Sequence, residues 1–237
     1  MTGSKNDSSP RLDLSFALAL GSLILFTGIF PALLNGIHEL VPQWAFLLLI
    51  TLPTQGANIA SCVIPARYYC REKPLREVLD LKFPEDSDYP LIIPGTIAVY
   101  FILALITGVT VFTLRKIGIQ PQEQIAVEIL RNGSPLLAGI LIPVTVILAP
   151  IGEELCFRYA IYRKMELHWG SFQAALLTAL IFAAAHLNLQ VFPALFLLSL
   201  WLSALYRKTA SLPAAMMAHA LFNTITILLI YLSMAIK

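Results

Sequence analysis

Residues 135–158 read PLLAGILIPVTVILAPIGEELCFR. The run from Pro135 to Ile151 is apolar and approaches the ~20 residues that a helix needs to cross a bilayer. It then meets two adjacent carboxylates, Glu153 and Glu154, and Arg158 stands four residues beyond the second. Four other stretches reach or approach spanning length: Leu12–Leu34, Trp44–Pro65, Pro90–Leu114 and Leu212–Ile236. Two shorter ones, Phe172–Leu189 and Val191–Tyr206, meet around Asn188 and Gln190 and read as spans joined by a tight turn. The expectation is an all-α, polytopic transmembrane bundle of about seven to eight helices.

Composition agrees with this reading. Of 237 residues, 58% are hydrophobic and only 13% charged, with a mean hydropathy of +0.77. Soluble domains carry about 25% charged residues, and disordered chains combine low hydrophobicity with high charge. A net charge of +2 without a basic stripe leaves no footprint for phosphates, so nucleic acid is excluded as a partner. Cys62, Cys70 and Cys156 are too few and too scattered for a disulfide framework or a zinc knuckle. They read as small packed hydrophobes.

The first apolar run is about twice the length of a signal-peptide core and has no clear small-residue cleavage site, so it is expected to stay in the mature protein. Residues 1–11 read as a disordered tail. Residues 12–134 read as an N-terminal transmembrane region with a cytoplasmic loop over 66–90, and 135–237 as the region that carries the chemistry. With seven spans and the N-terminus inside, twelve of the 16 Lys and Arg fall on the inner side. That bias predicts a multi-pass protein of a prokaryotic plasma membrane with a cytoplasmic N-terminus. Arg67–Asp88 reads as a solvated loop. Within 120–132, Ile125, Ile129 and Leu130 have the spacing of an interfacial helix, and Cys156–His168 has the same potential.

Ionisable groups inside apolar segments cost roughly 2.5–3.5 kcal/mol each at the bilayer centre, so they mark functional interiors. The first three spans offer little: Asp13 sits at an edge, His38 and Glu39 fall in a short loop, and Gln55 and Asn58 are neutral. The late spans differ. Glu154 and Arg158 are at i, i+4 and can pair. Glu153 points about 100° away on a helix and has no local partner, which suits a general base. Pro150 and Gly152 are expected to loosen the helix and free backbone groups there. His186 ends an apolar segment after Phe182 and three alanines, and His219 and Asn223 share one helix face. A carboxylate, two imidazoles and an amide can activate water and stabilise an oxyanion. The same inventory could hold a metal through Glu153, His186 and His219, although neither histidine is followed by Glu as in a zincin.

The ordered set Glu-Glu-x-x-x-Arg (Glu153, Glu154, Arg158), Phe-x-x-x-His (Phe182, His186) and His-x-x-x-Asn (His219, Asn223) resembles the CPBP, or ABI, intramembrane proteases. That family includes the CAAX prenyl endopeptidases of the Rce1 type. The resemblance covers about Pro143–Ile230. It implies a bundle of roughly eight helices with a conical intramembrane catalytic cavity, and glutamate-type proteolysis without a cofactor. It implies that Glu153 activates water with help from His186, and that His219 and Asn223 stabilise the oxyanion. Glu154 and Arg158 would brace the site and Phe182 would pack beneath His186. Two departures bear on substrate handling. Tyr159 follows the motif arginine where the family often has glycine, and a final helix seen in some members is expected to be missing.

The expected substrate is a membrane-anchored protein or lipidated peptide, CAAX-type for the best-known members, met in the lipid bilayer. Two rival expectations remain. One is a zinc-dependent metalloprotease using the same residues. The other is a non-catalytic bacteriocin-immunity or scaffold membrane protein. A transporter would be expected to show repeated halves, and none is visible.

Overall fold

The computed structural model describes residues 9–34, 36 and 40–236. His38, Glu39 and residues 1–8 of the expected tail lie outside them. Among the described residues the chain is all-α, 84% helical without strands, in eight helices. The expected tail ends early, because helix α1 (Ser9–Leu23, continuing through a π turn at Ile24–Ile29 into Phe30–Leu33) already includes Ser9 to Arg11. Arg11 is buried. It donates from Nη1 to Cys70 Sγ at 3.3 Å, and its guanidinium lies 5.8 Å from the Tyr159 ring centroid.

Helix α2 (Gln43–Tyr69) packs along α1 through small side chains. Ser15, Ala19 and Ser22 of α1 and Ser61, Cys62 and Ala66 of α2 are all buried. Small residues let two helices approach closely where lipid provides no hydrophobic drive between them. After α3 (Leu75–Val78), α4 opens with a π turn at Leu91–Gly95 and runs over Thr96–Lys116. Phe101, Leu105, Val109 and Phe112 of α4 are exposed, while serines, an asparagine and a Glu–Arg pair are buried elsewhere. Apolar outside and polar inside is the pattern of a chain whose solvent is lipid.

Helix α5 (Ile125–Asn132) buries Ile129 and Leu130 against Leu137, Leu141, Ile227 and Ile230, so its apolar face serves the bundle rather than an interface. Helix α6 spans Pro135–Ala185 and is interrupted at Gly170, whose φ of 79° and ψ of 168° are non-helical. A positive φ costs glycine nothing, since it has no Cβ. Residues 135–169 and 171–185 therefore form two separate arms. The first arm stays helical past Glu153 and Glu154 and includes π turns at Val144–Leu148 and Leu155–Tyr162. All of Leu155–Tyr162 is buried, which overturns the interfacial reading of Cys156–His168.

Helix α7 (Phe192–Thr209) packs on the second arm of α6 and on α4, and α8 (Leu212–Ala235) packs on α7 and on the first arm of α6. Among the described residues five helices are long and apolar enough to cross a membrane: Pro10–Ile29, Trp44–Tyr69, Asp86–Lys116, Pro135–Ala185 and Leu212–Ala235. The seven expected spans differ from this set for two reasons. The runs 135–151 and 172–189 fall on the two arms of α6, counted together although Gly170 separates them, and α7 is made less apolar by Arg207 and Lys208 in its last turn. Five such helices make the chain an integral membrane protein.

Candidate active site

Proline chemistry shapes the helix that carries the two glutamates. In the π turn, the Ala149 N–H bonds to the Val144 carbonyl five residues back. In that register the Thr145 carbonyl would meet the nitrogen of residue 150, which is proline and has no hydrogen to give. The freed carbonyl instead accepts from Asn223 Nδ2 of α8 at 2.9 Å. The expectation that Pro150 frees a backbone group is met in this specific way, and the helix continues through it.

Gly152 plays a different part from the loosening expected of it. A Cβ at this position would stand 2.3 Å from Gln55 Oε1 and 3.2 Å from the Gln55 carbonyl oxygen. The glycine makes room for α2. Gln55, which is buried, then donates from Nε2 to Glu153 Oε1 at 3.5 Å. Glu153 has no local partner on its own helix side, as its spacing suggests, and its partners come from distant helices.

Glu154 and Arg158 pair as their spacing suggests, and both side chains are fully buried. Arg158 Nη1 donates to Glu154 Oε1 at 3.2 Å, and Nε lies 3.1 Å from Oε2. Arg158 Nη2 also reaches α7, donating to Ser199 Oγ at 2.9 Å and to the Ser199 carbonyl at 3.1 Å. The guanidinium lies 5.1 Å from the Phe182 ring centroid. Of the two contacts to Glu154, only Nη1–Oε1 is a hydrogen bond, of the stronger charge-assisted kind; Nε and Oε2 approach as an ion pair without hydrogen-bond geometry.

His219 joins the two glutamates. Its Nδ1 is 2.8 Å from Glu154 Oε1, and its Nε2 is 3.8 Å from Glu153 Oε2. A carboxylate only accepts, so Nδ1 carries hydrogen and donates to Glu154. His186 sits at the end of α6, where Leu187 turns left-handed at φ 48° and the Asn188 side chain accepts from the Gln190 and Val191 N–H groups. His186 Nδ1 lies 2.7 Å from the Phe182 carbonyl oxygen and must donate to it, which leaves Nε2 of a neutral ring as an acceptor. The Phe182 ring lies 4.8 Å from the His186 ring and 6.0 Å from that of His219.

Glu153, His186, His219 and Asn223 line one cavity of about 260 Å³, together with Gln55. The larger part of its wall is apolar, with Leu130 of α5, Leu141 of α6, Leu195 and Leu198 of α7 and Phe222 of α8. Glu154, Arg158 and Phe182 stand behind it. Reasoning from sequence missed Gln55 and Ser199. An amide or hydroxyl adds little to hydropathy, and the one signal for Gln55 was the polar pair Gln55 and Asn58 inside an apolar run. Among the described residues no group of three His, Cys, Asp or Glu side chains converges to hold a metal ion. Each histidine already commits Nδ1 to a protein oxygen.

No curated protein and no solved structure gives a significant match to the chain. Residues 135–225 match the family model described as type II CAAX prenyl endopeptidase Rce1-like. That segment holds both glutamates, both histidines, Arg158, Phe182 and Asn223, so the chain is similar to Rce1-like proteins over its late helices.

Proposed function

We propose that the chain is an intramembrane endopeptidase that hydrolyses a peptide bond near the C-terminus of a membrane-associated protein. The family match supports a CAAX-type, prenylated tail as the substrate class. The observation that carries this reading is His219, held on Glu154 through Nδ1 and turned toward Glu153 through Nε2, at the wall of a cavity shared with His186 and Asn223.

The chemistry follows from donors and acceptors. Glu153 Oε1 receives Gln55, and Oε2 is left to take a proton from water, the second substrate. Nε2 of neutral His186 accepts the other water proton as a hydrogen bond and orients the molecule. The hydroxide oxygen bonds to the scissile carbonyl carbon, and the carbonyl electron pair moves onto its oxygen. Two groups face that developing oxyanion: the Nε2 side of the His219 ring, and the second N–H of the Asn223 amide, whose first is held by Thr145. Glu153 then returns its proton to the departing amine as the C–N bond breaks. No covalent intermediate forms, and no step passes through a metal.

The test is a C-terminal proteomic comparison of cells that carry the wild-type chain with cells that carry Glu153→Gln. The expected result is a membrane-associated protein that keeps its last residues only in the variant. Identical C-terminal profiles, together with no cleavage of a farnesylated CAAX peptide by the purified chain, would remove the reading.

A further inference from the structure

Gln55 lies far from the family-matched segment, yet it touches the carboxylate on which the proposed reaction turns. Its neighbours set its amide in one orientation. Asn58 Nδ2 donates to Gln55 Oε1 at 3.5 Å, which fixes the oxygen end of the Gln55 amide toward Asn58 and the nitrogen end toward Glu153. Asn58 is itself oriented, because Ser22 Oγ of α1 donates to its Oδ1 at 2.9 Å. Gln55 and Asn58 are almost wholly buried, at 6% and 2% exposure. Across the interface, Gly152 leaves out the one side-chain carbon that would collide with Gln55 Oε1.

We infer that Gln55 is a positioning residue for Glu153. It occupies Oε1 with its Nε2–H and so presents Oε2 to water and to His219. The chain Ser22, Asn58, Gln55 and Glu153 joins α1 and α2 to the site, and Gly152 is the notch that lets it close. A carboxylate on a flexible two-carbon stem would otherwise sample several rotamers, and a misplacement of about 1 Å in a catalytic group can cost ~100-fold in rate. This inference rests on the reading of Glu153 as the base.

The experiment measures kcat and KM for an internally quenched farnesylated CAAX peptide, using the full chain in proteoliposomes. The variants are Gln55→Leu, Gly152→Ala, the two combined, and Glu153→Gln as control. Gln55→Leu keeps the shape and removes the donor. The expected loss is about 10- to 100-fold in kcat with KM within about twofold, because only the reacting geometry changes. Gly152→Ala removes no polar group and should give a similar loss by pushing Gln55 aside. Added to Gln55→Leu it should cost less than about threefold more, since the Oε1 it would strike is gone and the Gln55 carbonyl oxygen, 3.2 Å away, has to give only slightly. If Glu153→Gln abolishes cleavage while Gln55→Leu and Gly152→Ala keep wild-type kcat, the positioning role is overturned and the base assignment survives. If Glu153→Gln cleaves normally, both fall. Should Gln55→Leu fail to fold, Gly152→Ala decides alone: unchanged kcat in the folded variant refutes the role.

Discussion

Replacing Arg158 by methionine probes the support beneath the site. The methionine keeps much of the buried volume and deletes the charge. It also deletes both contacts to Glu154, both bonds to Ser199 and the contact with the Phe182 ring. Glu154 is then a fully buried carboxylate with His219 Nδ1 at 2.8 Å as its remaining charge-assisted partner. Removing one member of a buried ion pair costs about 3–5 kcal/mol. The surviving His219 contact places the cost at the lower end, about 3 kcal/mol, or roughly a hundredfold in the folding equilibrium at ~1.4 kcal/mol per decade. Glu154→Gln should cost a similar amount by stranding the guanidinium. The double variant leaves no unpaired charge, and replacing a whole buried pair by neutral groups is often close to neutral. The cycle should therefore show a coupling of several kcal/mol, close to the sum of the two single losses. Equilibrium unfolding of the purified protein in detergent micelles, titrated with sodium dodecyl sulfate, measures it. Single-variant effects that add to within about 0.5 kcal/mol would refute the claim that the two charges support each other.

Three further outcomes are expected. His219→Ala should lower kcat on the farnesylated peptide by about 100- to 1,000-fold, the typical cost of losing an oxyanion donor, and an effect confined to KM would contradict the role. Treatment with 1,10-phenanthroline followed by elemental analysis should leave cleavage intact in protein with substoichiometric zinc; loss of activity that zinc restores would establish the metalloprotease alternative. Asp80→Ala should speed proteolysis of the segment around α3 without altering kcat. Asp80 is held by Arg163, Tyr206 (2.6 Å) and the Leu212 N–H, and its own φ of 53° suits Asp or Asn better than Ala. Unchanged proteolysis would show that this clasp does not hold the segment.

What could be read in advance followed from local physics. Apolar runs located most of the helices because a bilayer imposes length and composition directly. Glu154 and Arg158 could be paired because four residues make slightly more than one helical turn. The missed features depend on contacts between distant segments. Gln55 and Glu153 are 98 residues apart and meet because Gly152 lacks a side chain. The Asn223 bond to Thr145 depends on a π register that places Pro150 where a donor would stand. Gly170 divides one long apolar helix through a single positive φ, and one glycine in such a run carries no marker of its conformation. Arg11 seemed part of a polar tail, yet its partners, Cys70 and Tyr159, lie on other helices.

The central claim is that the Glu153 carboxylate, set by Gln55 and facing His219, takes the proton from the hydrolytic water. Single-turnover cleavage of the farnesylated peptide by purified Glu153→Gln tests it most directly, because the amide keeps the shape and loses the base. The account predicts a chemical step slower by at least about 1,000-fold, with the protein folded and peptide binding retained. A step within about tenfold of the wild-type rate would contradict it.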